Sequence, residues 1–403
     1  MGRFLSASLS SQSVTKAGPS LPPQRPRSEL RRRRRPACAQ MSRALGAAAT
    51  QPIGHWRKAG LPANNDAVLV TVIMPVFNAT RTLSTALRSV LHQTHRDLEL
   101  LAVDDGSTDD TSRLLQTWAR RDQRLRVLWY GDNRGRSAAR NYAIDEASGE
   151  WLTFIDADDL WARTRLERLV AVAASHPSID LVTDDRIGFM VSSEGEVALR
   201  HRFPSREAWG FGGVEPLALR GWAMDKRHLD PLVRRSFVID SGARYPEQLS
   251  SSEDQSFCMQ LVFAKNGCSA VRLAEPLYYY RLGWATRPKD RDLNFVRSIR
   301  IAIDQTGSAE LERLVAPAVR GEIALLRRDS AMRTRVGRLA EADHLAHDDP
   351  EVREVARPTG RLLVWRALWF RRSLIALSML ADSRARRGML EDIRRLLRDP
   401  DVD

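Results

Sequence analysis

Short apolar runs alternate with longer amphipathic segments in the first half of the chain. Four apolar runs, the first of them rich in β-branched residues, are predicted to be strands, at residues 68–78, 98–103, 126–130 and 151–155. The fourth run has no polar alternation, which is typical of a strand buried on both faces of a parallel sheet. Residues 80–93 instead repeat apolar positions every three or four residues, which predicts a helix with Thr80 or Thr82 as its cap.

The strict alternation of strands and helices predicts an α/β fold, with a mainly parallel sheet, right-handed crossovers and helices on both faces. Parallel strands place their carboxyl ends along one edge, where open α/β sheets bind ligands. Three predicted strands end there in polar residues, namely Asn78, Asp104 with Asp105, and Asp156 with Asp158. We therefore expect these three strand ends to converge on one site.

The basic charge of the chain is concentrated in residues 1–65. They carry +11 of the formal net charge of +13, through twelve basic residues and one glutamate. This Ser-, Pro-, Ala- and Arg-rich stretch has no hydrophobic period and no apolar core of a secretory signal, so we expect a disordered tail. Its arginine run, residues 31–35, leaves three interpretations: an idle segment ahead of a start at Met41, organellar targeting, or nucleic-acid binding. The idle segment is preferred, and no nucleic-acid partner is expected.

Cysteine content and hydropathy favour a cytoplasmic protein. The three cysteines, Cys38, Cys258 and Cys268, show no metal-ligand spacing, as expected of reduced thiols. A hydrophobic content of 43% is enough for a core, yet no apolar run reaches the length that spans a bilayer. Residues 362–380 are apolar but interrupted by arginines. They form either a packed amphipathic helix, which is preferred, or a helix in peripheral contact with the inner face of the cell membrane.

The fourth predicted strand ends in the sequence Asp156-Ala157-Asp158-Asp159. In extended chain, Asp156 and Asp158 place both carboxylates on one side. Two adjacent carboxylates repel each other unless a cation lies between them, and such oxygen ligands suit Mg²⁺ or Mn²⁺. The alternative is an acidic turn that caps a helix starting near Arg163. Convergence of three polar strand ends favours a nucleotide and metal site.

Neither a Gly-x-Gly-x-x-Gly sequence after the first strand nor a Walker A sequence is present, so dinucleotide binding and P-loop chemistry lack support. Four other pieces occur in order, namely PVFN at 75–78, DDGSTD at 104–109, NRG with ARN within 133–141, and DADD at 156–159. These pieces resemble glycosyltransferase family 2, the inverting group with the GT-A fold, over about residues 70–283, and in detail the enzymes of bacterial exopolysaccharide assembly.

With this resemblance we expect three regions. Residues 1–65 form the tail, and residues 66–290 form a GT-A domain with a donor half at 66–180 and an acceptor half at 181–290. Residues 291–403 form a helical region. Within the acceptor half, four side chains either shape the acceptor site or belong to ordinary core and rim, namely Arg206, Trp209, Trp222 and His228.

The resemblance also implies roles in donor binding. The base pocket is lined by Pro75, Val76, Phe77 and Asn78. Asp105 accepts a hydrogen bond from uracil N3–H, or else only forms the turn before Gly106. Arg136 and Arg140 face the diphosphate, although one of them could instead pair only with an aspartate of the acidic turn.

At the acidic turn, the resemblance implies that Asp158 is the direct ligand of Mn²⁺ or Mg²⁺. Asp156 assists the metal or holds the ribose, and Asp159 is left to cap the next helix. Arg281, in a Tyr-Arg element, lies near the diphosphate, or else has only a structural role. Many members of the family have a histidine soon after this arginine, but this chain reads Leu282-Gly283-Trp284, so the third metal ligand stays unassigned.

An inverting transfer needs a base on the side of the sugar opposite the leaving group. The Glu253-Asp254 pair matches the family here, and Asp254 is the predicted catalytic base. The alternative is a first-turn acid that complements the helix dipole, and both roles are compatible.

We therefore predict a metal-dependent inverting glycosyltransferase of polysaccharide biosynthesis. It moves a sugar from a nucleotide-diphosphate donor, preferably UDP-linked, to a saccharide or lipid-linked saccharide. One rival is a nucleotidyltransferase on a related sheet, which would leave Asp254 without a task. The other is a non-catalytic nucleotide-sugar or nucleic-acid binding protein that uses the arginine run.

Overall fold

A computed structural model describes residues 68–203, 214–216, 230–283, 291–326 and 383–398. The strands in these ranges are β1 Val70–Val76, β2 Leu98–Asp104, β3 Leu125–Trp129, β4 Trp151–Phe154, β5 Leu160–Trp161, β6 Leu181–Val191, β7 Val197–Phe203, β8 Val214–Pro216, β9 Leu232–Arg234 and β10 Ala270–Arg281. The helices are α1 Leu83–Leu91, α2 Thr111–Arg121, α3 Arg136–Glu146, α4 Arg165–Ser175, α5 Arg235–Ser241, α6 Glu253–Val262, α7 Arg291–Thr306, α8 Ala309–Leu326 and α9 Ser383–Arg398. The predicted tail, the four acceptor-side residues and residues 362–380 lie outside the described residues.

The described strands form one sheet in the order β3-β2-β1-β4-β9-β6-β10-β5, with β7 beside β6 and β8 beside β10. Neighbours among β3, β2, β1 and β4 are parallel, as the four apolar runs predict. Strand β9 is antiparallel to both β4 and β6, so β6 and its parallel neighbour β10 run in the direction of β4. The carboxyl ends of β1, β2, β4 and β10 therefore lie along one edge. The predicted α/β class with a mainly parallel sheet is confirmed.

Helices cover both faces of this sheet. On one face α3, α5 and α6 pack against the central strands, with Phe154 and Phe257 fully buried in their cluster. On the other face α1, α2, α4 and α9 pack, and Ile393 of α9 is fully buried there. Helices α7 and α8 pack on α6 through Met259, Phe295 and other apolar residues. Full burial of such side chains contributes about 1.5–3 kcal/mol each.

Two expectations concern the cap of α1 and the division at residue 180. Helix α1 begins at Leu83, and Thr82 makes no side-chain capping bond, while the Thr80 hydroxyl donates to Asp109 at 2.9 Å. Thr82 therefore lies at the N-cap position of α1 without a capping hydrogen bond from its side chain, and Thr80 contacts the loop after β2 instead. The division expected at residue 180 falls within one continuous sheet, since β6 starts at Leu181 and is joined to β4 through β9. The domain boundaries stay predictions. In the ranges that the structure covers, no helix is both long and apolar enough to cross a membrane.

Gly149, which precedes β4, has no room for a side chain. A Cβ there would lie 2.5 Å from the backbone nitrogen of Thr71 and 2.9 Å from the carbonyl oxygen of Leu69. Because the contacted atoms belong to the backbone entering β1, they cannot move without breaking the sheet. We expect Gly149→Ala to lower the free energy of unfolding by about 1–3 kcal/mol or more, measured by urea unfolding.

The matched control is Gly388 in α9, where a Cβ would meet no atom within 4 Å from other parts of the described residues. Alanine is the better helix former, so Gly388→Ala should raise the stability by about 0.5–1 kcal/mol. Equal effects of the two substitutions would contradict the close approach of β1 and β4 at Gly149.

Candidate functional site

Asn78 joins the ends of β1 and β2. Its backbone has a φ of 47°, in the left-handed region that asparagine tolerates. Its Oδ1 accepts a hydrogen bond from the Thr108 backbone N–H at 2.8 Å, and its own N–H donates to the Ser107 hydroxyl at 3.0 Å. Phe77, beside it, is 48% exposed. The PVFN and DDGSTD pieces are therefore in direct contact, as the sheet topology predicts.

Asp105 holds the loop that precedes α3. Its buried carboxylate accepts hydrogen bonds from the Tyr130 hydroxyl at 2.7 Å, the Arg134 N–H at 2.7 Å and the Gly135 N–H at 2.9 Å. The neighbouring Gly106 has a φ of 72°, and a Cβ there would come within 2.7 Å of the backbone of the same loop. A structural role for Asp105 is thus present, and its role toward a uracil ring stays a prediction.

The turn between β4 and β5 gathers three carboxylates. Oxygen atoms of Asp156, Asp158 and Asp159 lie within 4.8 Å of one another. Burial and the charge of Asp156 raise the pKa of Asp158 to about 6, and burial and the charge of Asp158 raise that of Asp159 well above its ordinary value. A bound divalent cation would relieve both effects. The donor set is all oxygen, so these residues fit Mn²⁺ or Mg²⁺.

The prediction that Asp159 caps the next helix is wrong, because α4 begins only at Arg165. Asp159 is buried against β10, where it accepts hydrogen bonds from the Tyr278 hydroxyl and the Arg281 N–H, both at 2.7 Å. The cause is the antiparallel pairing of β5 with β10 at Tyr278 and Tyr279, which brings the Tyr-Arg element onto the acidic turn. Asp159 is the third carboxylate that would lie within reach of a cation bound at the acidic turn. Both of its oxygens already accept hydrogen bonds.

Arg281 also supports this turn. Its Nε donates to the carbonyl oxygen of Asp158 at 2.8 Å, and its guanidinium lies 4.8 Å from the centre of the Phe189 ring. Burial lowers the pKa of Arg281. The contact with the turn is structural, and a role of Arg281 toward a diphosphate stays a prediction.

Arg140 of α3 joins the acidic turn to the first turn of α6. Its side chain is 1% exposed, with Nη2 at 2.7 Å from Asp156 Oδ1 and Nη1 at 3.1 Å from Glu253 Oε1 and 2.9 Å from Asp254 Oδ1. Its guanidinium lies 5.0 Å from the centre of the Tyr245 ring. Burial alone would lower the pKa of Arg140, but the surrounding carboxylates raise it well above its ordinary value. The ion pair considered for one of the two arginines is therefore present at Arg140.

Arg136 has the more exposed guanidinium of the two. Its side chain is 49% exposed, with Nε at 3.3 Å from Glu253 Oε1, and the charge of Glu253 raises the pKa of Arg136. Its Nη2 donates to the Ser250 carbonyl at 3.3 Å. The next residue, Ser137, has a buried hydroxyl without a hydrogen-bond partner among the described residues. This amino end of α3 therefore combines an exposed positive charge with an unsatisfied polar group.

Glu253 and Asp254 both lie in the first turn of α6, as the helix-dipole interpretation requires. The Glu253 side chain is 2% exposed and that of Asp254 is 12% exposed. Asp254 is thus the member of the pair with more access to solvent, and its role as a base stays a prediction. Glu253 and Tyr245 contact Arg140, although neither has a role in the site predicted from the sequence. Glu253 could have been found because it belongs to the same Glu-Asp pair as Asp254, whereas Tyr245 lies in no recognisable motif.

Residues 71–212 match the protein-family model described as glycosyl transferase family 2. TuaG of Bacillus subtilis (strain 168), a putative teichuronic acid biosynthesis glycosyltransferase, is 40% identical over 100 residues, which are 25% of this chain and 40% of that protein. WfgD of Escherichia coli, named UDP-Glc:alpha-D-GlcNAc-diphosphoundecaprenol beta-1,3-glucosyltransferase, is 38% identical over 107 residues, 27% of this chain and 42% of that protein. The chain thus spans no more than 42% of either relative.

Among solved structures, S. aureus TarS 1-349 in complex with UDP-GlcNAc superimposes with a TM-score of 0.55 at 20% identity, covering 81% of this chain and 90% of that chain. This similarity confirms the predicted GT-A fold. The matched family region ends before Glu253, Asp254 and Arg281, so this match gives no support to the roles predicted for these residues.

Proposed function

Because the chain carries a domain of glycosyl transferase family 2 at residues 71–212, we propose that the protein is an inverting glycosyltransferase of polysaccharide biosynthesis. It transfers a sugar from a nucleotide-diphosphate donor to a hydroxyl of a saccharide or lipid-linked saccharide. The observation that carries the proposal is the meeting of the acidic turn with the Glu253-Asp254 pair through Arg140. A UDP-linked donor is favoured by the UDP-GlcNAc complex of TarS and by the UDP-Glc in the name of WfgD.

The nucleoside of the donor is assigned to the joined ends of β1 and β2. Pro75, Val76, Phe77 and Asn78 line this part, and the exposed ring of Phe77 offers a stacking surface for the base. Asp105 Oδ2 accepts one bond at 2.9 Å from Gly135, and a carboxylate oxygen has capacity for a second donor such as uracil N3–H.

The diphosphate of the donor is assigned to the space between the amino end of α3 and the acidic turn. The exposed guanidinium of Arg136 and the amino end of α3 supply donors for phosphate oxygens. Asp156 and Asp158 would hold the cation, Mn²⁺ or Mg²⁺, which when bound supplies neutralisation of the diphosphate charge. Arg281 keeps the turn in place through the Asp158 carbonyl.

Asp254 acts as the base. Its carboxylate takes the proton of the acceptor hydroxyl, whose oxygen forms a bond to the anomeric carbon on the face opposite the diphosphate. The bond between the anomeric carbon and the diphosphate oxygen breaks, its electron pair stays on the leaving nucleoside diphosphate, and the anomeric configuration inverts.

The proposal predicts that UDP with Mn²⁺ raises the melting temperature of the full chain. Ligand at 100 times its dissociation constant adds about 2.7 kcal/mol of stability, which corresponds to a rise of several degrees. The measurement is a thermal unfolding panel of UDP, GDP and their sugar derivatives, each with Mn²⁺ or with EDTA. If no UDP or GDP species raises the melting temperature, the proposed function is contradicted.

A further inference from the structure

We propose that Arg140 is a positioning residue that fixes the base Asp254 relative to the acidic turn, so that the leaving-group side and the acceptor side of the reaction are held by one guanidinium. This inference rests on the proposed function. It differs from a phosphate-binding role for Arg140, because the guanidinium acts on the donor through the side chains that it holds.

The geometry of the fork carries the proposal. The two terminal nitrogens of Arg140 are divided between the two halves of the site, Nη2 at 2.7 Å from Asp156 and Nη1 at 2.9 Å from Asp254. The contact with Asp156 is a hydrogen bond and the contact with Asp254 is an ion pair. Because a guanidinium is planar and rigid, the two contacts together fix the separation of two carboxylates that lie 98 positions apart in sequence. A lysine ammonium has the same charge, but its single nitrogen cannot reproduce this division.

The surroundings of Arg140 hold the fork itself in place. Its side chain is 1% exposed, and Glu253 Oε1, from the first turn of α6, contacts Nη1 at 3.1 Å. The Tyr245 ring lies at 5.0 Å on the guanidinium and stacks on Phe257 at 4.2 Å, within the core of that sheet face. A group packed in this way is poorly placed to move toward a phosphate, whereas Arg136 is half-exposed beside it.

The test is Arg140→Lys in the full chain, with two readouts. Calorimetry gives the dissociation constant of UDP in the presence of Mn²⁺, and release of UDP from the UDP-sugar that most stabilises the wild type gives kcat and KM. We expect kcat to fall at least 30-fold, while the KM and the UDP dissociation constant stay within threefold of wild type. Unchanged kcat would overturn the proposal, and so would a loss of UDP affinity of tenfold or more, which a phosphate ligand would show.

The matched control is Arg272→Lys. Arg272 is equally buried, with a side chain 3% exposed, and its Nε donates to Asp185 at 2.8 Å, but it lies near the amino end of β10, away from the site. This variant should lower the melting temperature and keep kcat and UDP affinity within twofold of wild type. A comparable loss of kcat in Arg272→Lys would show that breaking any buried arginine pair impairs turnover, and would overturn the positioning role.

A second variant decides the question if Arg140→Lys does not fold. Glu253→Gln keeps the shape of the side chain and removes the charge that anchors Nη1. It should lower kcat at least tenfold with UDP affinity within threefold, and unchanged kcat would overturn the proposal. Failure of the proposed function is distinct, because the wild type itself would then bind neither UDP nor GDP with Mn²⁺ and would release neither of them from any nucleotide-sugar.

Discussion

Asp254→Asn should lose transfer and keep donor binding. Asparagine has the shape of aspartate but cannot take a proton from the acceptor hydroxyl, and general-base catalysis typically contributes about 10²–10⁴-fold to a rate. We expect kcat for UDP release to fall by about that factor, with the dissociation constant of UDP and Mn²⁺ within a few-fold of wild type. The measurement combines steady-state kinetics with calorimetry on the same preparation.

The control for this variant is Asp145→Asn, on the last turn of α3. Asp145 also pairs with an arginine, Arg244 at 3.0 Å, but its side chain is 61% exposed, so the substitution should leave kcat unchanged. Normal turnover in Asp254→Asn would show that the base lies elsewhere.

Asp158→Asn should remove the dependence of UDP binding on Mn²⁺. Metal ions contribute several kcal/mol of charge stabilisation in such reactions, and each 1.4 kcal/mol is tenfold in rate, so we expect turnover to fall by about 10²-fold or more. In the thermal panel, UDP should stabilise this variant equally with Mn²⁺ and with EDTA. Mn²⁺-dependent stabilisation as large as in the wild type would exclude Asp158 as a ligand.

When no metal is present, Asp158→Asn should stabilise the fold, although the same substitution impairs turnover. Burial and the charge of Asp156 raise the pKa of Asp158 from 3.8 to about 6, so its ionised form opposes folding. This cost grows as the pH rises from the lower value to the higher one, and it is present in full at neutral pH. Replacing Asp158 by a neutral amide should therefore raise the melting temperature at neutral pH in EDTA. The control is Asp304→Asn. The Asp304 side chain is 64% exposed and pairs with Arg300, so this substitution should change neither the melting temperature nor the dependence of UDP binding on Mn²⁺.

Local pattern was sufficient to predict the sheet that carries the site. Residues 98–103 and 151–155 are apolar runs that become β2 and β4, and parallel pairing places their polar ends at one edge by topology alone. The contact of Asn78 with the loop after β2 follows from the same argument. The strands and the polar residues at their ends could both be predicted, because each depends only on a short stretch of chain.

Contacts between distant segments were beyond prediction from local pattern. Asp159 accepts hydrogen bonds from Tyr278 and Arg281 because β5 pairs antiparallel with β10. A two-residue strand is too short to give a periodic pattern in the sequence. The pairing of Arg140 with Glu253 across α3 and α6 likewise depends on how two helices pack on one sheet face. Such pairings are set by tertiary packing, which no window of sequence contains.

Strand β6 shows the limit of hydrophobic pattern most clearly. Its centre has the sequence Thr-Asp-Asp-Arg, yet Asp184 and Asp185 are buried. Each is paired with a buried arginine from another element, Asp184 with Arg165 at 2.9 Å and Asp185 with Arg272. A charged residue is expected to be exposed unless a buried partner compensates its charge. The partners of Asp184 and Asp185 come from α4 and β10, so the local sequence of β6 does not reveal them.

The most direct measurement of the proposed activity is proton NMR of the full chain with Mn²⁺ and UDP-glucose, whose sugar is α-linked. Water and GlcNAc-diphosphoundecaprenol, the acceptor in the name of WfgD, serve as acceptors, and the other UDP-sugars of the panel follow in the same format. An inverting transfer through Asp254 predicts release of UDP together with a β-configured product. With the lipid acceptor this product is a β-glycoside, and with water it is the free β-sugar, which is observed before mutarotation. An α-configured product, or UDP-sugars that all stay intact with both acceptors, would contradict the account.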